Sequence, residues 1–71
     1  MEVSIRIKLG KKIKRLRKER KYTQDKLSEL TDIDYKYLQK IEGKNPPNIR
    51  IETIEKFAKA LKVRPAELLK F

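Results

Sequence analysis

The chain contains neither cysteine nor histidine. No disulfide framework and no zinc-finger spacing can therefore be drawn, so packing alone must hold the fold. Glycine occurs only as Gly10 and Gly43, which leaves no glycine-rich loop to cradle a phosphate. No apolar run approaches the roughly 18 residues of a membrane span, and no signal-peptide pattern precedes a cleavage site. A cytoplasmic protein that starts at its own Met1 is expected. At 71 residues it is one small domain with a modest core, too short to build a sizeable cleft around a chance pair of carboxylates. An enzyme is not expected. No cofactor, metal or small-molecule ligand is expected either.

What is plentiful is positive charge. Twenty Lys and Arg stand against ten Asp and Glu, a net +10 with a pI near 10.0. Such an imbalance points to a polyanion as partner. Most of it sits between residues 6 and 21, where Glu19 is the sole acid. Within that stretch Leu9, Ile13 and Leu16 recur at helical spacing. The spacing predicts a helix from about residue 6 to Arg20 or Lys21. Val3, Ile5, Ile7 and Leu9 also alternate with polar residues, so residues 1–8 are read as an N-terminal arm or as the start of helix 1. The basic side chains span too wide an arc for all of them to touch one duplex. Most form a solvated, steering face.

Downstream, the chain twice repeats one local grammar. Thr23 is placed to cap a helix over about 24–31, with Tyr22 and Leu27 as a hydrophobic staple and Leu27 with Leu30 as its apolar edge. Asp34 then caps a second helix, stapled by Ile33 and Leu38, whose buried edge is Leu38 with Ile41. Gly43 is expected to stop it, and Pro46-Pro47 forbids continuation. So short a connection implies a steep crossing of the two helices. Ile51, Ile54, Phe57, Ala58 and Leu61 give a fourth helix one face. Pro65 suits the first position of a last helix holding Leu68 and Leu69.

Four stretches in this order resemble the Cro and repressor family of phage DNA-binding domains, also described as xenobiotic-response-element-like regulators. They are LGKKIKRLR (9–17), YTQDKLSEL (22–30), DIDYKYLQKIEG (32–43) and IETIEKFAKALKV (51–63). The resemblance implies an all-α, compact five-helix, lambda-repressor-like domain over residues 9–71, with a helix-turn-helix motif at about 23–43. Glycine is frequent in the family where Lys21 and Asp32 stand. Lysine tolerates a left-handed backbone less well than aspartate, which predicts a differently built turn at Lys21. Arg50 and Arg64 stand where a serine-like cap is common, so helices four and five are expected to be weakly capped.

The resemblance assigns base contacts to Tyr35, Lys36, Gln39 and Lys40, which share about 140° of the second motif helix. Lys36 or Lys40 suits guanine O6 and N7, Gln39 suits adenine, and Tyr35 suits a thymine methyl or a phosphate. Gln24, Tyr37, Lys44 and Lys12 are candidates for phosphate contacts, with packing an equal alternative for Tyr37. Arg17 and Glu42 match the family's ion pair between helix 1 and the end of the recognition helix. Asp34 is read as a cap before it is read as a contact to cytosine. The partner implied is double-stranded DNA, bound by a homodimer on a near-palindromic site, with recognition helices about 34 Å apart. Leu68, Leu69 and Phe71 are candidates for the dimer contact, with closure of the monomer's core as the alternative. The function expected is a sequence-specific transcriptional regulator, either a repressor or an autoregulatory controller. The competing reading is an antitoxin-like or bridging protein-interaction module on the same fold. RNA binding would favour exposed aromatics on a sheet or loop, and none is evident. A membrane-surface role would need the apolar stripe that helix 1 turns toward the core.

Overall fold

A computed structural model describes residues 4–71. Five helices follow one another: α1 (Ile5–Glu19), α2 (Gln24–Thr31), α3 (Tyr35–Ile41), α4 (Ile51–Leu61) and α5 (Pro65–Leu68). No strand occurs among the described residues. Helix 1 begins at Ile5, where Ser4 Oγ accepts from the Arg6 N–H. Residues 5–8 are therefore helix rather than arm, and residues 1–3 lie outside the described part.

The caps fall where the residue types demand them. Thr23 Oγ1 accepts from the Lys26 N–H at 3.0 Å, and Asp34 Oδ2 accepts from the N–H groups of Lys36 and Tyr37. Each satisfies donors that the first helical turn leaves without a partner. Arg50 and Arg64 provide no side-chain cap, as their residue type predicts.

Three helix ends share a second device. Lys21, Asp32 and Lys62 all adopt left-handed backbone, with φ of 61°, 57° and 59°. The residue after each donates back five positions, from Tyr22 to Arg17, Ile33 to Ser28 and Val63 to Ala58. These are Schellman closures, and the apolar Tyr22, Ile33 and Val63 pack onto the core as such closures favour. The turn at Lys21 is thus built as a glycine would build it, contrary to the expectation from its side chain. The left-handed turn lets Tyr22 pack, partly buried, against the core. Gly43, by contrast, ends α3 without positive φ.

The core joins all five helices: Leu9, Ile13 and Leu16 of α1, Leu27 of α2, Leu38 and Ile41 of α3, Phe57, Ala58 and Leu61 of α4, and Leu68 of α5. Two apolar positions depart from expectation. Leu30 is exposed and Thr31 takes its place on the buried side of α2, its hydroxyl satisfied by the Leu27 carbonyl at 2.7 Å. Ile51 is 81% exposed, because the first residue of α4 lies beyond the edge of the core. Ser28, the small residue in α2, donates its hydroxyl to the Ile33 carbonyl and ties the motif's turn. Gly10 has a packing role of its own. A Cβ there would run into the carbonyl oxygen of Ile41, so only glycine lets the backbone of α1 pass directly over the end of α3.

Candidate nucleic-acid interface

The last turn of α3 is anchored from three sides. Arg17 Nε and Nη2 donate to the two Glu42 carboxylate oxygens at 2.9 and 3.0 Å. Arg17 Nη1 donates to the Tyr22 carbonyl at 2.8 Å, and Gln24 Nε2 donates to Glu42 Oε1 at 3.1 Å. Both members of the ion pair are withdrawn from water, with side-chain exposures of 9% and 2%. A planar guanidinium matches a carboxylate in this two-bond geometry, which fixes direction as well as distance. α1, the entry to α2 and the exit of α3 are thereby locked in one arrangement. Among the described residues no buried side-chain polar atom lacks a partner.

With its rear edge held by Leu38, Ile41 and Glu42, α3 turns its other side outward. Tyr35, Lys36, Gln39 and Lys40 are all exposed, and neither lysine joins an ion pair among the described residues. Asp32 and Asp34, the acids beside this surface, have local explanations. Asp32 adopts the left-handed turn and Asp34 caps α3. A carboxylate at a helix N-terminus is also favoured by the helix dipole.

The other predicted site residues separate. Gln24 sits half-buried with its amide oriented by Glu42, which leaves one N–H free for a phosphate. Lys44 is exposed in the loop after α3, where Pro46 is buried and pins the chain. Tyr37 is partly buried against the core. Lys12 does not belong with the phosphate contacts: its ammonium donates to Glu67 Oε2 and to the Lys70 carbonyl, both at 3.2 Å, joining α1 to the C-terminal segment. Its side chain is 11% exposed.

The candidate dimer residues do not share a face. Leu68 is fully buried and closes the core, so it is no dimer contact. Phe71 lies over α1, its ring centre 5.8 Å from Lys8 Nζ. Leu69 borders an apolar groove with Ile51, Ile54, Pro65 and Ala66, between α4 and α5. The bond from Gln24 to Glu42 and the salt bridge from Lys12 to Glu67 were not anticipated. Neither has a sequence signal, because each joins helices far apart in the chain. The outward Ile51 had one, its position at the very start of its helix.

A short capped helix, a three-residue turn and a second helix with a free basic and aromatic face define a helix-turn-helix DNA-binding domain. The chain belongs to the family of Cro/C1-type HTH DNA-binding domains, whose profile matches residues 12–71. It is 35% identical over 72 residues to the control protein C.BamHI of Bacillus amyloliquefaciens, covering 100% of this chain and 88% of that one. The structure superposes on the restriction-modification controller protein C.AhdI from Aeromonas hydrophila with a TM-score of 0.83 at 30% identity, covering 89% of this chain and 94% of that one. It also superposes on C.Esp1396I, solved as a nucleoprotein complex, with a TM-score of 0.79 at 29% identity, covering 99% and 100% of the two chains. As a member of this family, the protein is a sequence-specific DNA-binding transcription regulator.

Proposed function

We propose that the protein is a controller of the restriction-modification type, acting in the cytoplasm as repressor or autoregulator, and that it binds a near-palindromic DNA site as a homodimer. In this reading α3 enters the major groove, where Tyr35, Lys36, Gln39 and Lys40 meet base edges. Gln24 and Lys44 hold phosphates on either side, with the Tyr37 hydroxyl a third contact at the groove's rim. The second copy docks on the groove bordered by Leu69, Ile51 and Ile54. The proposal involves no catalytic step.

The observation that carries the reading is the division of labour on α3. Leu38 and Ile41 are buried and Glu42 is bonded within the protein, while the four side chains on the outer face are left exposed. A protein-interaction module remains the alternative, supported by the same apolar groove. Selection of bound duplexes from a random pool separates the two. A regulator enriches one site with two-fold symmetry. An interaction module enriches none.

A further inference from the structure

The outer face of α1 is a strongly charged surface that the helix-turn-helix reading leaves without a partner. Lys8, Lys11, Lys14, Arg15 and Lys18 are all exposed. At about 100° and 1.5 Å per residue they share one arc of about 120° and run for about 15 Å. The arc lies opposite the buried side of the helix, formed by Leu9, Ile13, Leu16 and Arg17. Where α1 meets α3, it does so through Gly10 and Arg17, which contact Ile41 and Glu42 at the rear end of the recognition helix. Base edges are met by the exposed face of that helix, Tyr35, Lys36, Gln39 and Lys40, and not by the Leu38 and Ile41 edge that is buried. The stripe therefore belongs to a different helix face from the one that meets base edges.

The free protein bears this stripe against its own stability. Lys8–Lys11, Lys11–Lys14, Lys11–Arg15, Lys14–Lys18 and Arg15–Lys18 are like-charge neighbours at three- and four-residue spacing, an arrangement that destabilises a helix. Glu19, the single acid of α1, reaches only Arg15, at 3.6 Å and in water. The composition also indicates what the stripe fits. A protein-binding surface needs a broad apolar, desolvated centre, whereas these five positions are exposed cations, with the exposed apolar Phe71 beside Lys8 at one end of the row. A row of phosphates needs no such centre.

We propose that Lys8, Lys11, Lys14, Arg15 and Lys18 form a second, sequence-blind DNA surface that holds the phosphates of another duplex while α3 occupies its own. One protein then links two duplex segments. The test is a bridging assay with the full chain, one duplex on beads and a labelled random-sequence duplex in solution. It compares the wild type with a variant carrying Lys8→Gln, Lys11→Gln, Lys14→Gln and Lys18→Gln. Glutamine has nearly the helix propensity of lysine, and circular dichroism checks the fold. If that variant fails to fold, Lys11→Glu with Lys18→Glu takes its place. The wild type is expected to capture the labelled duplex. The variant is expected to capture at most a tenth as much and still bind the bead duplex. For the bridging step, the slope of log K against log salt should be shallower by about 3 to 4 in the variant. Bridging by the variant at the wild-type level, through paired recognition helices, would overturn the proposal, as would a wild type that does not bridge. Capture of polyglutamate as tight as that of the duplex would also overturn it, by assigning the stripe to an acidic protein.

Discussion

Arg17 and Glu42 lie 25 residues apart in the chain and meet through two parallel hydrogen bonds in a site closed to water. Their attraction is set against the desolvation of both charges, so the pair specifies the arrangement of α1 and α3 more than it stabilises it. Removing one partner is a different matter, because it strands the other charge in the interior. Arg17→Ala is expected to lower unfolding stability by about 3–5 kcal/mol. Replacing both, as Arg17→Met with Glu42→Leu, should recover most of that loss. Urea unfolding of the three variants checks both statements, and a small effect of Arg17→Ala alone would contradict the buried pair.

Gly10 supports a prediction whose sign opposes helix propensity. Alanine in a helix interior is favoured over glycine by about 1 kcal/mol. Here its Cβ would enter the space of the Ile41 carbonyl, so α1 and α3 would have to separate. Gly10→Ala should therefore destabilise the protein by about 1–3 kcal/mol, the range for overpacking. A thermal melt decides. An upward shift in the midpoint would show that the close approach of the two helices is not required.

Lys62 offers the converse case. It is exposed and left-handed, and its neighbour Val63 closes the end of α4. Lys62→Gly relieves about 1–2 kcal/mol of backbone strain and adds about 0.4–1 kcal/mol of freedom to the unfolded chain. A net gain of about 1 kcal/mol or less is expected, read as a rise in the urea midpoint.

These cases mark what can be read from the sequence. Thr23 and Asp34 announced their helices because a cap is a local device, set by one side chain and the next turn's N–H groups. Arg17 and Glu42 were legible through the family resemblance. The positions that misled depend on what lies across the fold. Leu30 and Thr31 are adjacent on α2, and only the direction of its neighbours decides which of them is buried. Lys12 reads as a free cation until α5 brings Glu67 to it. Leu68 and Leu69 are consecutive leucines, one fully buried and the other 45% exposed, a difference set by the angle at which a four-residue helix docks.

The dimer surface can be tested without disturbing the core. Leu69→Asp and Ile51→Asp each place a charge in the apolar groove at positions exposed in the monomer, so folding should be retained. Sedimentation of each variant is expected to show a monomer where the wild type shows a dimer. Phe71→Ser, on the α1 side, should leave the dimer intact. Unchanged sedimentation of both groove variants would move the interface elsewhere.

The central claim is that the outer face of α3 reads bases. It is tested most directly by the affinity of Lys40→Ala and Gln39→Ala for a selected duplex and for random DNA at one salt concentration. A lost contact to a base edge is worth about 1–3 kcal/mol. The selected duplex should therefore weaken by about 5- to 150-fold, with preference relaxed at one base position, and random DNA should weaken by no more than about threefold for Lys40→Ala, which removes one charge, and less for Gln39→Ala. Equal losses on both duplexes would contradict the account, making these side chains phosphate contacts and leaving the bases to be read elsewhere.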